Sequence, residues 1–225
     1  MNEYCLDLRH RPRVQESIAE KHKIFCNTLK EFDFPWGYKG HSVPNIDVKK
    51  PKIVYVVKLK ELSPRGLRSY LTYSLRSDQY LRDVAEHDDG VIIEFKPKDL
   101  DLSFFVKEVF PRYIESFDCY RASVINRELS RDDWTAVSEK MNSTGKDVDG
   151  RDGVYRVNEI NFYDRELCKR AFSLTPEKIV ERLEGKVESV YLFHDGVVLI
   201  YSSTLLPIDQ LEEVDGKVRR WLGCK

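Results

Sequence analysis

Two periodicities alternate along the chain, one of about 2 residues and one of about 3.6, and they predict an alternation of strands and helices. The opening "EYCLDL" reads as a short strand, and after Pro12 the positions Val14, Ile18, Phe25 and Leu29 fall at helical spacing. The Pro- and Gly-rich segment "FDFPWGYKGHSVPNIDVKKPK" (32–52) reads as an ordered surface loop. β-branched residues in "KIVYVVKL" (52–59) predict a buried strand, and Ser63 and Pro64 occupy the N-cap and first position of a helix expected to follow. Residues 68–87 mix strand-like "SYLTYSL" with helical spacing at Leu81, Val84 and Ala85, which leaves their type open. Gly90 then ends a turn before the strand "VIIEF" (91–95). Beyond Pro97, Leu102, Phe105, Val106, Val109, Phe110 and Tyr113 form a helical stripe that Pro111 should kink or end. A strand "CYRASVI" (119–125) follows, then a short helix capped by Ser130, with Asp132 and Asp133 in its first turn.

After the loop "STGKDVDGRDG" (143–153), "VYRVNEINFY" reads as a strand and "LTPEKIVERLEG" as a helix capped by Thr175, with Pro176 at its first position and Gly185 past its end. "VESVYLF" is a strand, Asp195-Gly196 is a hairpin signal into "VVLIYSS", and Ile208, Leu211, Val214, Val218, Trp221 and Leu222 lie on one face of a last helix. "HDDGVIIEF" (87–95) and "HDGVVLIY" (194–201) are nearly the same sentence written twice. Strand, Ser/Thr-Pro-capped helix, His-Asp-Gly turn, apolar strand and amphipathic helix recur in one order. One structural unit used twice explains this more economically than two catalytic sites, and both histidines are expected at partly exposed turns. The predicted fold class is α+β: two similar strand-helix-strand-helix units, with mixed or antiparallel sheets flanked by helices. Residues 1–142 form the first half, 143–153 an acidic connecting loop and 154–225 the second half.

Composition narrows the function classes. With 41% hydrophobic and 33% charged residues, the chain is neither disordered nor a membrane protein by composition, and no apolar leader or spanning segment is visible. A cytoplasmic protein is expected. Five scattered cysteines without a C-x-x-C pair predict free thiols rather than zinc or a disulfide framework. A net charge of −1 argues against nonspecific nucleic-acid binding. The charge is uneven, however: residues 1–65 hold 13 Lys and Arg against 8 Asp and Glu, whereas residues 86–166 hold 12 against 19. Such an acidic middle is either a solvated surface or a means of steering a basic protein partner.

Candidate chemistry is sparse. Glu94 and Lys96, two apart on a strand with Asp88 or Asp89 upstream, sketch a metal-dependent nuclease. The same acid-x-Lys spacing recurs at Asp47/Lys49, Glu184/Lys186 and Asp215/Lys217, and the repeat places Ile200 and Ser202 at the matching positions, which makes this the minor reading. Asp147, Asp149 and Asp152 suggest a calcium loop, but Arg151 at the fifth position and Asn158 at the twelfth break the EF-hand spacing. The common phosphate, nucleotide, serine-hydrolase and zinc-protease motifs do not occur. Nothing in the sequence selects a Cys/His dyad. Trp36 and Tyr38, in the Pro/Gly loop, are either interface anchors or packed onto their own domain.

The opening strand, the "RHRPR" turn, the helix through Leu29, the "FDFPWG" loop and the later "FFVKEVFPRYIESFDCYRASVI" resemble the immunity protein 52 family of bacterial polymorphic-toxin immunity proteins. The resemblance implies a protein that binds and occludes a cognate nuclease-type toxin of a contact-dependent or type VI system. It implies no cofactor and no catalytic residue. Trp36 and Tyr38 would be the anchors, and Asp132, Asp133, Asp147, Asp149 and Asp152 the charges that meet a basic toxin. The rivals are the Glu94/Lys96 hydrolase and a non-catalytic adaptor bridging other proteins.

Overall fold

Residues 3–62, 66–97 and 101–224 are described in the computed structural model, and they form two compact units that meet in sequence at Cys119/Tyr120. The boundary precedes the expected linker at 143–153 because a residue before that loop binds the loop itself. Arg121 donates to the carbonyl of Asp149 at 2.9 Å and pairs with its carboxylate at 2.8 Å.

In the first unit, β1 (Tyr4–His10), β2 (Val54–Lys58), β3 (Ser69–Ser74) and β4 (Asp89–Phe95) run antiparallel in the order β2-β3-β4-β1. Alternation selects one apolar face: Leu6 lies opposite Ile93, Leu8 opposite Val91, and Tyr55 opposite Tyr73, all buried. Helix α1 (Ile18–Leu29) begins where the Ser17 side chain accepts from the Glu20 amide, so Val14 falls outside it in a turn. The stripe from Leu102 is continuous helix: α2 (Leu102–Phe104), a π-helical turn (Phe105–Val109) and α3 (Phe110–Phe117). Pro111 neither ends nor breaks it, because it stands in the first turn of α3, directly after the widened turn. Phe25 of α1 meets Tyr113 and Phe117 of α3 edge-on at 5.2 and 5.1 Å.

Three expectations change here. The strand at 52–59 is half exposed rather than buried, since Val54 and Val56 point away from the core. Ser63 and Pro64 lie outside the described residues, but from Ser69 the chain is strand β3, followed by irregular backbone and a 3-10 turn at Ala85–His87. Gly90 lies within β4, opposite Arg9 and Thr72, and not at a turn.

In the second unit, β5 (Arg121–Asn126), β6 (Ile160–Asp164), β7 (Ser189–Phe193) and β8 (Gly196–Ile200) take the antiparallel order β5-β6-β8-β7. Helices α4 (Arg127–Thr144), α5 (Arg165–Phe172), α6 (Pro176–Leu183) and α7 (Ile208–Leu222) complete it. Leu167, Ile179, Leu183, Val197, Leu199 and Val218 share one core. Helix α4 starts earlier than expected: Asn126, whose side chain accepts from the Glu128 and Leu129 amides, is the cap, and Ser130 lies inside the helix. Residues 154–159 are not strand, because α7 takes their backbone groups. Arg219 donates to the carbonyls of Val154 and Tyr155 at 2.6 and 2.9 Å, and Asp215 accepts from the Val157 amide at 2.8 Å.

The repeat is real at the level of topology. Order β3-β4-β1, with a helix after β1 and another after β4, matches order β7-β8-β6, with helices after β6 and after β8. Its turns differ. His87, expected to be partly exposed, is buried, accepts from the Arg82 amide at 2.9 Å and stacks on Tyr80, whereas His194 is an exposed residue of the two-residue turn between β7 and β8. His194, with φ 51°, takes the left-handed conformation expected of the Asp195-Gly196 pair. Gly196 is needed for another reason: a Cβ there would stand 2.3 Å from the Tyr163 carbonyl oxygen on the neighbouring strand. Gly196→Ala should therefore destabilise the second unit by about 1–3 kcal/mol, read as a lower urea midpoint; an unchanged midpoint would contradict this packing.

Candidate functional site

Trp36 and Tyr38 are core residues. Trp36 stacks on Phe105 at 4.3 Å and meets Phe95 edge-on at 5.4 Å, and its carbonyl accepts from the Tyr113 hydroxyl. The loop is drawn in by backbone bonds from Tyr38 to Leu29 (2.7 Å) and Lys39 to Phe32 (2.9 Å), with Gly37 passing so close that a Cβ would lie 2.2 Å from the Leu29 oxygen. Of the two readings of these aromatics, packing onto their own unit holds, which removes them as surface anchors.

The acids of the connecting loop are occupied as well. Asp147 accepts from the Arg151 amide at 3.1 Å, Asp149 pairs with Arg121, and Asp152 pairs with Arg170 at 3.2 Å. Asp133 forms a two-pronged pair with Arg156, both contacts at 2.6 Å. These carboxylates hold a loop in shape, and the arginines cancel much of the negative field expected from them.

The nuclease sketch with Asp89 as its second acid is not assembled either. Glu94 is buried and accepts from the Arg68 amide at 2.8 Å and its guanidinium at 3.0 and 3.2 Å. Asp89, five residues earlier in β4, points to the opposite face and is clamped by Arg76. The two acids therefore cannot share one metal.

Two further clusters bring reactive groups together. His10 Nδ1 lies 2.7 Å from the Asp118 carbonyl and Nε2 lies 3.0 Å from Glu16, so both ring nitrogens face acceptors. Burial opposes ionisation of Glu16, but the His10 contact and charge, the Arg13 amide and Lys21 outweigh it and hold the carboxyl down at about 2. His10, Glu16 and Asp118 are close enough to share an ion, yet Arg13 reaches Asp118 at 3.2 Å and Arg76 stands 3.8 Å from Glu16, so guanidinium groups already supply the positive charge. On α1, Cys26 Sγ lies 3.4 Å from His22 Nε2 beside an open cavity of about 780 Å³. His22 Nε2 also lies 2.8 Å from the Pro44 carbonyl, to which it must donate, leaving Nδ1 to accept from the Tyr73 hydroxyl. It has no lone pair for the thiol, and burial pushes Cys26 up to about 11 and His22 down. This pair holds a neutral thiol beside a neutral imidazole, the reverse of an activated nucleophile.

What remains accessible is α4. Only Leu129 and Val137 of its 18 residues are buried, and Trp134 is 67% exposed. Met141, two turns on, shares its side of the helix. Exposed Glu128, Asp132 and Glu139 form a separate acidic stripe, with exposed Arg131 on the side of Trp134. Asp132 is thus the member of the expected set that stands on an open surface. Trp134 escaped the sequence reading, although three of its four helical neighbours, Ser130, Arg131 and Ser138, are polar and only Val137 is apolar. Among the described residues no helix is long and apolar enough to cross a membrane.

Comparisons with protein-family models, curated proteins and solved structures found no match to this chain. The resemblance to the immunity protein 52 family rests on the sequence features that suggested it.

Proposed function

We propose that this chain is a non-catalytic binding protein that attaches to a basic partner and blocks it, the partner being a bacterial toxin as the sequence resemblance implies. The observation that carries the reading is Trp134, a large amphipathic side chain held in solvent on a rigid helix that bears an acidic stripe on another side. Tryptophan is among the residues that contribute most when an interface closes over it, and carboxylates elsewhere on the same helix raise the association rate by longer-range attraction. Glu128, Asp132 and Glu139 supply that charge, in place of the loop acids that arginines neutralise.

The test is to purify the tagged protein from its native cells at moderate salt, identify what stays bound, and express that partner alone and with this chain. One stoichiometric partner that arrests growth alone and is tolerated in coexpression is the expected result. Recovery of the chain alone, or a partner whose effect persists in coexpression, overturns the proposal. Trp134→Ala should weaken the complex about 30-fold while moving folding stability by no more than about 0.5 kcal/mol, since the side chain is mostly in water already. Titration calorimetry beside urea unfolding separates the two effects.

A further inference from the structure

The first unit carries an open sheet edge. Among the described residues only β3 pairs with β2, and two hydrogen bonds set the phase: Leu75 N–H to the Ile53 carbonyl and Leu59 N–H to the Ser69 carbonyl, both 2.8 Å. In an antiparallel pair, residues that bond inward alternate with residues whose groups point outward. Residues 53, 55, 57 and 59 therefore bond to β3, and Val54, Val56 and Lys58 direct their N–H and C=O groups away from the sheet. No proline interrupts this edge, and Val54 and Val56 are 39% and 58% exposed.

Beside the edge lies an open cavity of about 460 Å³, lined by Val56, Tyr70 and Thr72 and by the basic residues Lys58, Lys60 and Arg68. Arg68 is committed to Glu94, but Lys58 and Lys60 have no carboxylate partner among the described residues. Exposed Lys49, Lys50 and Lys52 precede the strand and extend the same charge.

We infer that β2 is a strand-addition site, and that its occupant is an extended acidic segment of a partner protein, with Asp or Glu alternating with β-branched residues. Outward backbone groups supply the pairing, the apolar patch takes alternate side chains, and the lysines select negative charge. The same lysines oppose a second copy of this chain, whose edge would bring like charge against like. This surface is in the first unit, and the inference goes beyond the α4 reading and does not depend on it.

The probe is a fluorescein-labelled peptide, Gly-Asp-Val-Glu-Val-Asp-Val-Glu-Gly, titrated with the full chain at moderate salt and followed by anisotropy. Saturable binding is expected, with none to the same peptide carrying lysine at each acid. Val56→Pro removes one outward N–H while leaving the bonds to β3 untouched, and should weaken binding about tenfold or more; Val56→Thr keeps the N–H and should bind as the parent does. If Val56→Pro alters the circular dichroism spectrum, the Lys58→Glu/Lys60→Glu variant replaces it, with the same expected loss. The inference is overturned by equal binding to the Val56→Pro chain, by no binding at millimolar peptide, or by sedimentation showing a dimer that Val56→Pro dissociates. None of these outcomes bears on rescue from a toxin, so the two readings fail separately.

Discussion

Asp89→Ala is expected to lower stability by about 3–5 kcal/mol, enough to unfold a marginal unit at ambient temperature. Asp89 is fully buried in β4, where it accepts from the Ser74 amide at 3.0 Å and from Arg76 at 2.8 and 2.5 Å. The Arg76 side chain is only 8% exposed and also donates to the Ser74 carbonyl. Removing the carboxylate leaves a buried guanidinium whose nearest remaining acid is Glu16, at 3.8 Å. The loss comes mainly from that uncompensated charge and not from the net worth of the pair, which predicts a specific rescue. Asp89→Ala with Arg76→Met should recover much of the midpoint in urea, because both charges are then gone. A double variant as unstable as Asp89→Ala would refute the account.

The second large effect lies in the other unit and depends on pH. Glu159 is completely buried; its Oε1 accepts from the Leu206 amide at 3.0 Å, while Oε2 has no hydrogen-bond partner among the described residues. Burial pushes the carboxyl up to about 7 from an ordinary 4.5, against the pull of the backbone amides. The folded chain therefore binds this proton more tightly than the unfolded chain does. Stability from this group is full below about 4.5, declines as pH rises, and is lost once pH passes about 7, a change of about 3 kcal/mol. Glu16 works in the opposite direction, contributing above about 4.5 and losing its contribution as pH falls toward 2. His22, held by burial below an ordinary 6.5, adds stability as pH rises, so between pH 5 and 8 it is the difference between the parent and Glu159→Gln that isolates Glu159. Glu159→Gln should flatten the fall in urea midpoint across that window and exceed the parent in stability at pH 8. Parallel pH profiles for the two proteins would sink the assignment.

The elements most legible in the sequence were those whose signals lie within a few residues of one another. Thr175 caps α6, with Pro176 in its first turn, as the local pattern predicts, and "VIIEF" and "VVLIYSS" contain the buried cores of β4 and β8. Helix α5 was missed although Leu167, Cys168 and Phe172 form a buried face at helical spacing; its other signal was Asp164, which caps it by accepting from the Leu167 amide. The candidate site was less legible. A tryptophan in a Pro/Gly loop and one on a polar helix offered similar cues, and the loop tryptophan proved to be the buried one.

By itself the sequence determined the α+β class, the strand-helix alternation, the repeated unit and the apolar face of most elements, because each depends on side-chain spacing along a short stretch of backbone. Tertiary structure decided which charges are spent and which surfaces are open. Asp149 meets Arg121 across 28 residues and Asp133 meets Arg156 across 23, separations at which no local pattern specifies a partner. The exposure of Trp134 and the outward hydrogen-bonding groups of β2 were decided the same way, by which elements pack against them and which do not.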